Sequence, residues 1–162
     1  MERAERIQIL TDLIKINSVN GNEIEVANYL HDLFKRHGID AKVDAFGDKR
    51  ANLIVDLGQS DQVLGITGHM DTVALGDLSE WKHQPLAAEI DGDKLYGRGA
   101  ADMKSGLAAQ VIALIELHEA GKINGHVRFI ATAGEEYGTP GANRLEAAGI
   151  AQDLSALLVG EP

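Results

Sequence analysis

The chain has 162 residues, 44% of them hydrophobic and 25% charged, which is the composition of one globular domain with its own core. Its formal net charge of −10, without any run rich in Lys or Arg, excludes nucleic acid and anionic membranes as favoured partners. The chain has no cysteine and no stretch near the roughly 20 apolar residues of a membrane span. Any metal must therefore be held by oxygen and imidazole, and we expect a cytoplasmic protein.

The first half of the chain predicts two helices followed by three strands. In chain order these elements cover residues 3–16, 22–38, 39–45, 52–57 and 63–67. The second helix begins at Asn22, a good N-cap residue, with Glu25 three residues on as its capping-box partner, and it stops at Gly38. The pattern of the last two strands indicates burial on both faces.

The second half predicts a hairpin, two helices and two strands. Asp91-Gly92 is a hairpin turn signal between strands at 88–90 and 94–96. The remaining elements are helices at 104–120 and 139–148 and strands at 127–133 and 154–159. This alternation predicts an α/β fold in which helices flank a mainly parallel central sheet. Because the chain stops directly after its last strand, with no closing helix, we expect a domain that has been cut short.

A histidine and an aspartate follow the strand at 63–67, in the sequence Gly68-His69-Met70-Asp71. Residues two apart on an extended backbone project to the same side. Asp71 can therefore hydrogen-bond the His69 imidazole and orient its other nitrogen toward a metal. A single H-x-D pattern is a weak signal, and a hydrogen-bonded pair on the surface is the alternative.

The segment 95–106 is rich in glycine but does not fit a nucleotide-binding loop. Asp102 occupies the last glycine position of G-x-G-x-x-G, where it would repel a pyrophosphate. The Walker pattern fails as well, because Met103 rather than glycine precedes Lys104. Two interpretations of Asp102 remain: it caps the following helix, or it binds a cation that the glycines allow to approach.

Two adjacent glutamates, Glu135 and Glu136, follow the strand at 127–133. They fall at the end of the sheet where α/β proteins carry their sites. One carboxylate could bind a metal while its neighbour acts as a general base toward a bound water. The alternative is a pair of solvated glutamates in a loop.

Glu161 occupies the same topological place after the strand at 154–159. The candidate ligands that follow a strand or hairpin are thus His69, Asp102, Glu135 or Glu136, and Glu161. Oxygen ligands with one imidazole suit zinc, cobalt or manganese. Their joint occurrence favours a metal site over four independent coincidences.

Taken together, the motifs resemble those of the M20-type metallopeptidases and deacylases. That family includes succinyl-diaminopimelate desuccinylase, acetylornithine deacetylase, aminoacylase and several dipeptidases. The matching segments follow the family's order and spacing: 67–73, 81–85, 91–92, 95–106, 133–136 and 159–162. The resemblance implies a di-zinc aminopeptidase-like catalytic domain that hydrolyses the amide bond of N-acyl amino acids or small peptides.

The resemblance also implies a role for each matched residue at a site for two divalent metal ions, zinc first, with cobalt or manganese as alternatives. Asp102 would bridge the metals. His69 and Glu161 would bind one metal, and Glu136 would bind the other. Glu135 would be the general base that deprotonates the bridging water, and Asp71 would orient His69.

The chain differs from members of the family in its length. The resemblance implies that residues 1–162 are the N-terminal part of the catalytic domain, without the lid or dimerisation domain and without the C-terminal part. Those parts supply a further histidine ligand, substrate-binding groups and dimer contacts in family members. We therefore expect a homodimer for the full-length protein, a small acyl amino acid or peptide as substrate, and little activity for this chain alone. A dipeptidase and a non-catalytic metal-binding fragment are the alternatives.

Overall fold

The computed structural model describes all 162 residues, and every predicted helix and strand is present. In chain order the elements are α1 (Arg3–Lys15), α2 (Glu23–Arg36), β1 (Lys42–Phe46), β2 (Arg50–Gly58), β3 (Val63–His69), β4 (Glu89–Asp91), β5 (Lys94–Tyr96), α3 (Lys104–Glu119), β6 (His126–Thr132), α4 (Pro140–Ala147) and β7 (Leu154–Val159). The largest shift is in β1, which begins at Lys42 rather than at Ile39. Ile39 is instead a buried core residue ahead of the strand.

Five strands form the central sheet in the order β1-β2-β6-β3-β7. β3 pairs in parallel with both β6 and β7, whereas β2 pairs antiparallel with β1 and β6. Four strands therefore run in one direction and β2 alone runs in the other. β2 is reversed because a turn of only three residues, 47–49, connects it to β1. The predicted α/β class with a central sheet between helices is confirmed.

Helices cover the two faces of the sheet unequally. The main cluster of 20 buried residues joins α1, α2 and α3 to one face. Within it, Phe34 of α2 packs on Phe129 of β6 with ring centroids 5.8 Å apart. On the other face, α4 packs through Leu145 against Ile54 and Ile130. The alternation of β2 sends Leu53 toward the first cluster and Ile54 toward the second.

The sheet geometry places the ends of three strands together. β6, β3 and β7 are neighbours and run in parallel, so the residues that follow them emerge at one edge of the sheet. These residues include the sequence-predicted ligands after each strand. The same edge receives the loop between β5 and α3.

Strand β7 forms one edge of the sheet and is largely exposed. Leu157, Leu158 and Val159 each keep about half of their surface accessible. The expectation that the strand at 63–67 is buried on both faces also holds only in part, because Leu64 is exposed. None of the helices combines the length and the apolar character needed to cross a membrane.

The capping box predicted for α2 is wrong. Asn22 precedes the helix but makes no side-chain cap; its Nδ2 donates to the backbone oxygen of Asn17 at 2.8 Å. Glu23 rather than Glu25 turns back, and its Oε1 accepts the Gly21 N–H at 3.1 Å. Glu23 is fully buried because the same oxygen also pairs with a cation, Arg50, from β2.

Replacement of Phe129 by alanine should lower the free energy of unfolding by about 3–5 kcal/mol, because it opens a cavity against Phe34 in the main cluster. The matched control is Tyr137→Ala, which truncates an aromatic ring that is 77% exposed and should change stability by no more than about 0.5 kcal/mol. Urea denaturation of both variants measures the difference. Equal effects for the two variants would contradict this packing.

Candidate metal centre

The structure brings all the sequence-predicted ligands to one point at the edge of the sheet. His69 is the last residue of β3, and its Nε2 lies 3.1 Å from Asp102 Oδ1, 3.6 Å from Glu161 Oε1 and 4.0 Å from Glu135 Oε2. Two groups of three residues place their donor atoms within 4.8 Å of one another. They are His69 with Asp102 and Glu136, and His69 with Glu135 and Glu161.

The imidazole of His69 is fixed in orientation by Asp71. Nδ1 lies 3.0 Å from the backbone oxygen of Asp71 and 3.5 Å from its Oδ1, so Nδ1–H donates toward Asp71. Both side chains are almost fully buried, which rules out the alternative of a pair on the surface. The backbone N–H of His69 donates to the sulfur of Met103 at 3.1 Å, which holds the end of β3 against the start of α3. As a result, Nε2 is directed at the carboxylates.

Asp71 also holds the turn that carries the two glutamates, a contact that no sequence pattern indicates. Its Oδ1 accepts the backbone N–H of Gly134 at 2.9 Å and of Glu135 at 3.0 Å. Its Oδ2 accepts the N–H of Glu136 at 3.1 Å. Burial alone would raise the pKa of Asp71, but the hydrogen bonds from His69 and from the turn hold that pKa below its usual value. The carboxylate therefore stays ionised inside the protein.

Asp102 does not cap α3, so the N-cap interpretation is wrong. The N-cap position belongs to Met103, and no side chain caps the helix there. The Asp102 side chain is 55% exposed and turns toward His69 instead. Gly99 lets the loop pass close to the end of β3, since a Cβ at its φ of 79° would come within 2.7 Å of Thr72 Cγ2.

The charges of the cluster favour a bound cation. Burial lowers the pKa of His69, but the hydrogen bond and charge of Asp71, together with Glu161 and Asp102, outweigh burial and raise the pKa to about 9. The pKa of Glu136 is raised by burial and by the charge of Asp102. Burial and the same aspartate also raise the pKa of Glu161. The neighbouring carboxylates thus add to the cost of ionising Glu136 and Glu161, and a divalent cation would relieve that repulsion.

The donor set suits a divalent metal ion. One imidazole nitrogen and several carboxylate oxygens are the ligands of zinc, cobalt and manganese sites. The imidazole is already oriented through its other nitrogen, as in metal sites where the ligand histidine donates to a carbonyl or carboxylate. Residues that could hold such an ion are His69, Asp102, Glu135, Glu136 and Glu161.

Lys104, the first residue of α3, supports the loop that carries Asp102. This role of Lys104 was not predicted from the sequence. Its side chain is buried, and its Nζ donates to the backbone oxygens of Leu13 at 2.7 Å and Ile16 at 2.8 Å. Burial lowers the pKa of Lys104 to about 8. Lys104 therefore joins the end of α1 to the loop that presents Asp102. A lysine at the start of an otherwise apolar helix was the only sequence signal for this contact.

The larger clefts of the surface are lined by residues other than the ligand cluster. A cleft of about 900 Å³ has Trp81, His83 and Tyr96 among its lining residues. A second cleft of about 580 Å³ lies between β1 and α4. The candidate metal ligands therefore lie at the strand ends and not among the residues that line these clefts.

Comparison with known proteins identifies the family. Residues 65–162 match the family model for peptidase family M20/M25/M40. The chain is 42% identical over 163 aligned residues to the probable succinyl-diaminopimelate desuccinylase of Staphylococcus epidermidis, an alignment that covers 100% of this chain. This chain spans only 40% of the length of that curated relative.

Two solved structures share the fold. An M20 family metallo-carboxypeptidase of Sulfolobus solfataricus, Sso-CP2, superposes with a TM-score of 0.86 at 24% identity, over 99% of this chain and 37% of that one. The YXEP protein of Bacillus subtilis, a dinuclear metal-binding peptidase from the M20 family, gives a TM-score of 0.72 at 19% identity, over 96% and 42% of the two chains. At these identities the likeness is one of fold. Because the family model spans more than half of its residues, the chain belongs to peptidase family M20/M25/M40, a family of metal-dependent hydrolases.

Proposed function

We propose that this chain is the N-terminal part of the catalytic domain of an enzyme that hydrolyses the amide bond of N-acyl amino acids. The observation that carries the proposal is the convergence of His69 Nε2 with carboxylates that follow separate elements of the sheet. Succinyl-diaminopimelate desuccinylase is the first candidate activity, supported by the name of the relative from Staphylococcus epidermidis. An acetylornithine deacetylase is the second.

Two divalent metal ions, zinc in the first place, are held in this proposal by four side chains. Asp102 would be the ligand shared by the two ions, a role that its position 3.1 Å from His69 supports. His69 and Glu161 would hold one ion, and Glu136 would hold the other. Asp102 and Glu136 fall in one group of donor atoms within 4.8 Å and Glu161 falls in the other, so the four proposed ligands lie in one cluster around His69. Cobalt or manganese would suit the same donors.

Glu135 is the proposed general base. When bound, the metal ions polarise the amide carbonyl and lower the pKa of a coordinated water. Glu135 Oε2 lies 4.0 Å from His69 Nε2, close enough to the ligand cluster to take a proton from the attacking water. The same oxygen then delivers that proton to the leaving amine. Asp71 positions both Glu135 and His69. Its carboxylate accepts the backbone N–H of Glu135, and its backbone oxygen accepts the Nδ1–H of His69.

Residues beyond those of this chain complete the site in this proposal. They comprise the rest of the catalytic domain, with a further histidine ligand, and a lid domain through which the full-length protein forms a homodimer. The exposed apolar side chains of Leu157, Leu158 and Val159 on β7 are consistent with a sheet that continues. The exposure of the ligands Asp102 and Glu161 is consistent with a pocket closed by other residues. The substrate is a small molecule.

A dipeptidase or aminopeptidase of the same family is the alternative activity. The metal centre described here would serve either substrate class, since both reactions attack an amide carbonyl. A non-catalytic metal-binding fragment is the alternative from a different class. Activity and metal titration measured on the same protein distinguish the three.

Separate substitutions of the two neighbouring glutamates distinguish the general base from the metal ligand. In the full-length enzyme, Glu135→Gln should lower kcat by about 10²- to 10⁴-fold and keep zinc binding, because it removes a proton acceptor. Glu136→Gln should reduce zinc affinity as well as activity, because it removes a metal ligand. Steady-state kinetics and isothermal titration calorimetry measure the two effects.

The control for this pair is Glu146→Gln on α4, an exposed glutamate outside the cluster, which should match the parent protein in both measurements. Full activity of Glu135→Gln would refute its role as base. Loss of zinc affinity in Glu135→Gln but not in Glu136→Gln would mean that the two roles are exchanged.

The 162-residue chain alone should show no substantial amide hydrolysis, whereas the full-length enzyme should be active. The physical reason is that the proposed second metal site and substrate pocket need groups from outside this chain. Both proteins can be assayed with succinyl-diaminopimelate, acetylornithine and simple dipeptides in the presence of zinc, cobalt or manganese. Rapid hydrolysis by the 162-residue chain would overturn the proposed division of the site, and preference of the full-length enzyme for dipeptides would favour the dipeptidase.

A further inference from the structure

Asn52 is a fully buried amide near the start of a largely apolar strand, β2. Its neighbours Ala51 and Leu53 face the main core, so Asn52 projects to the opposite face, where α4 packs. A buried amide has to find hydrogen-bond partners, because an unsatisfied one destabilises the fold. The two backbone partners of Asn52 lie at the two ends of a single loop.

The amide of Asn52 bridges the two ends of the loop that carries Glu135 and Glu136. Oδ1 accepts the backbone N–H of Ala133 at 3.1 Å, immediately before that loop. Nδ2 donates to the backbone oxygen of Gly141 at 3.2 Å, immediately after it. Asp44 on β1 lies 3.5 Å from Nδ2 and faces the same amide group from the neighbouring strand.

Ala133 and Gly141 are also bonded to each other. The Gly141 N–H donates to the Ala133 oxygen at 3.0 Å, which leaves one donor on Ala133 and one acceptor on Gly141 at the base of the loop. A single primary amide satisfies both, since it offers an acceptor and a donor side by side. Gly141 has to be glycine for this approach, because a Cβ there would lie 2.6 Å from the Ala133 nitrogen. Asn52, Ala133 and Gly141 thus form a closed clasp, which we call the loop clasp.

The loop clasp and Asp71 hold the loop at different places. Asp71 accepts the N–H groups of the turn itself, whereas Asn52 fixes the distance between the two ends. Neither contact involves the carboxylates of Glu135 or Glu136. Both glutamate side chains remain available for the metal cluster.

We infer that Asn52 is a positioning residue that sets the geometry of Glu135 and Glu136 through the loop clasp. β2 provides none of the ligand cluster, so Asn52 acts only through the backbone of the loop. The inference rests on the proposed function, in which these two glutamates serve as base and metal ligand. Displacement of such groups by about 1 Å is enough to lower the rate by about 10²-fold.

Two variants of the full-length protein test the inference. Asn52→Asp keeps the shape and the acceptor but replaces the donor to Gly141 with an oxygen that also faces Asp44, and Asn52→Leu loses both hydrogen bonds. Each should lower kcat by about 10- to 100-fold with little change in KM, and should weaken zinc binding by a similar factor. Hydrogen–deuterium exchange should speed up in the segment 133–141 and remain unchanged in the central sheet. Asn124→Asp, at an exposed asparagine, is the matched control and should behave as the parent protein.

The outcomes separate this inference from the proposed function. If folded Asn52 variants keep kcat, zinc affinity and exchange of the segment 133–141 at parental values, Asn52 does not position the loop. If both variants fail to unfold cooperatively, Asn52 is needed for folding in general, and the inference is overturned. If the parent protein hydrolyses none of the amides, the proposed function fails, while zinc titration and exchange still decide whether Asn52 sets the geometry of the loop.

Discussion

The buried carboxylate of Asp71 is the interaction on which the centre depends, since it links two strand ends that are far apart in sequence. Asp71 faces the ring of His69 at the end of β3 with its backbone oxygen 3.0 Å and its Oδ1 3.5 Å from Nδ1, and its carboxylate accepts three backbone N–H groups of the turn after β6. An ionised group in the interior is stabilised only when its oxygens are fully hydrogen-bonded, and these contacts meet that condition. One charge therefore sets the relative position of an imidazole and two carboxylates.

The sheet supplies the remaining constraint. Because β6, β3 and β7 are adjacent and parallel, their ends bring side chains from three separate parts of the chain to one edge. The result is a concentration of negative charge around His69. Burial, together with these neighbouring charges, raises the pKa values of Glu136 and Glu161. Such repulsion is unfavourable for folding in the absence of a cation. The acidity of the chain, with a formal net charge of −10, is thus in part a property of this one edge.

Much of the fold and of the candidate site could be predicted from the sequence. The features that could not be predicted share one cause. Strand and helix positions follow from apolar spacing, and His69 and Glu161 were found because each stands directly after a strand. The cap of α2 was misassigned because Glu23 pairs with Arg50, a residue far along the chain, in preference to a local bond. Spacing within a segment cannot reveal a partner in another element.

The same limit applies to the supporting residues. Asn52 is a polar residue in an apolar strand, and nothing in the sequence connects it with Ala133 or Gly141. The ambiguity over Asp102 likewise needed coordinates, because an aspartate before a helix suits both a cap and a ligand. Residues that bind through side chains were easier to predict than residues that act by holding the backbone of another element.

The first helix illustrates how far the centre extends. α1 contains none of the candidate ligands, yet the oxygens of Leu13 and Ile16 at its end are the acceptors for the buried ammonium of Lys104. Removing that helix would take away both acceptors of this ammonium group, two residues from Asp102, and would uncover a side chain that is buried in the intact fold. A deletion at the front of the chain would therefore disturb the same loop as a substitution within it, although α1 carries no candidate ligand.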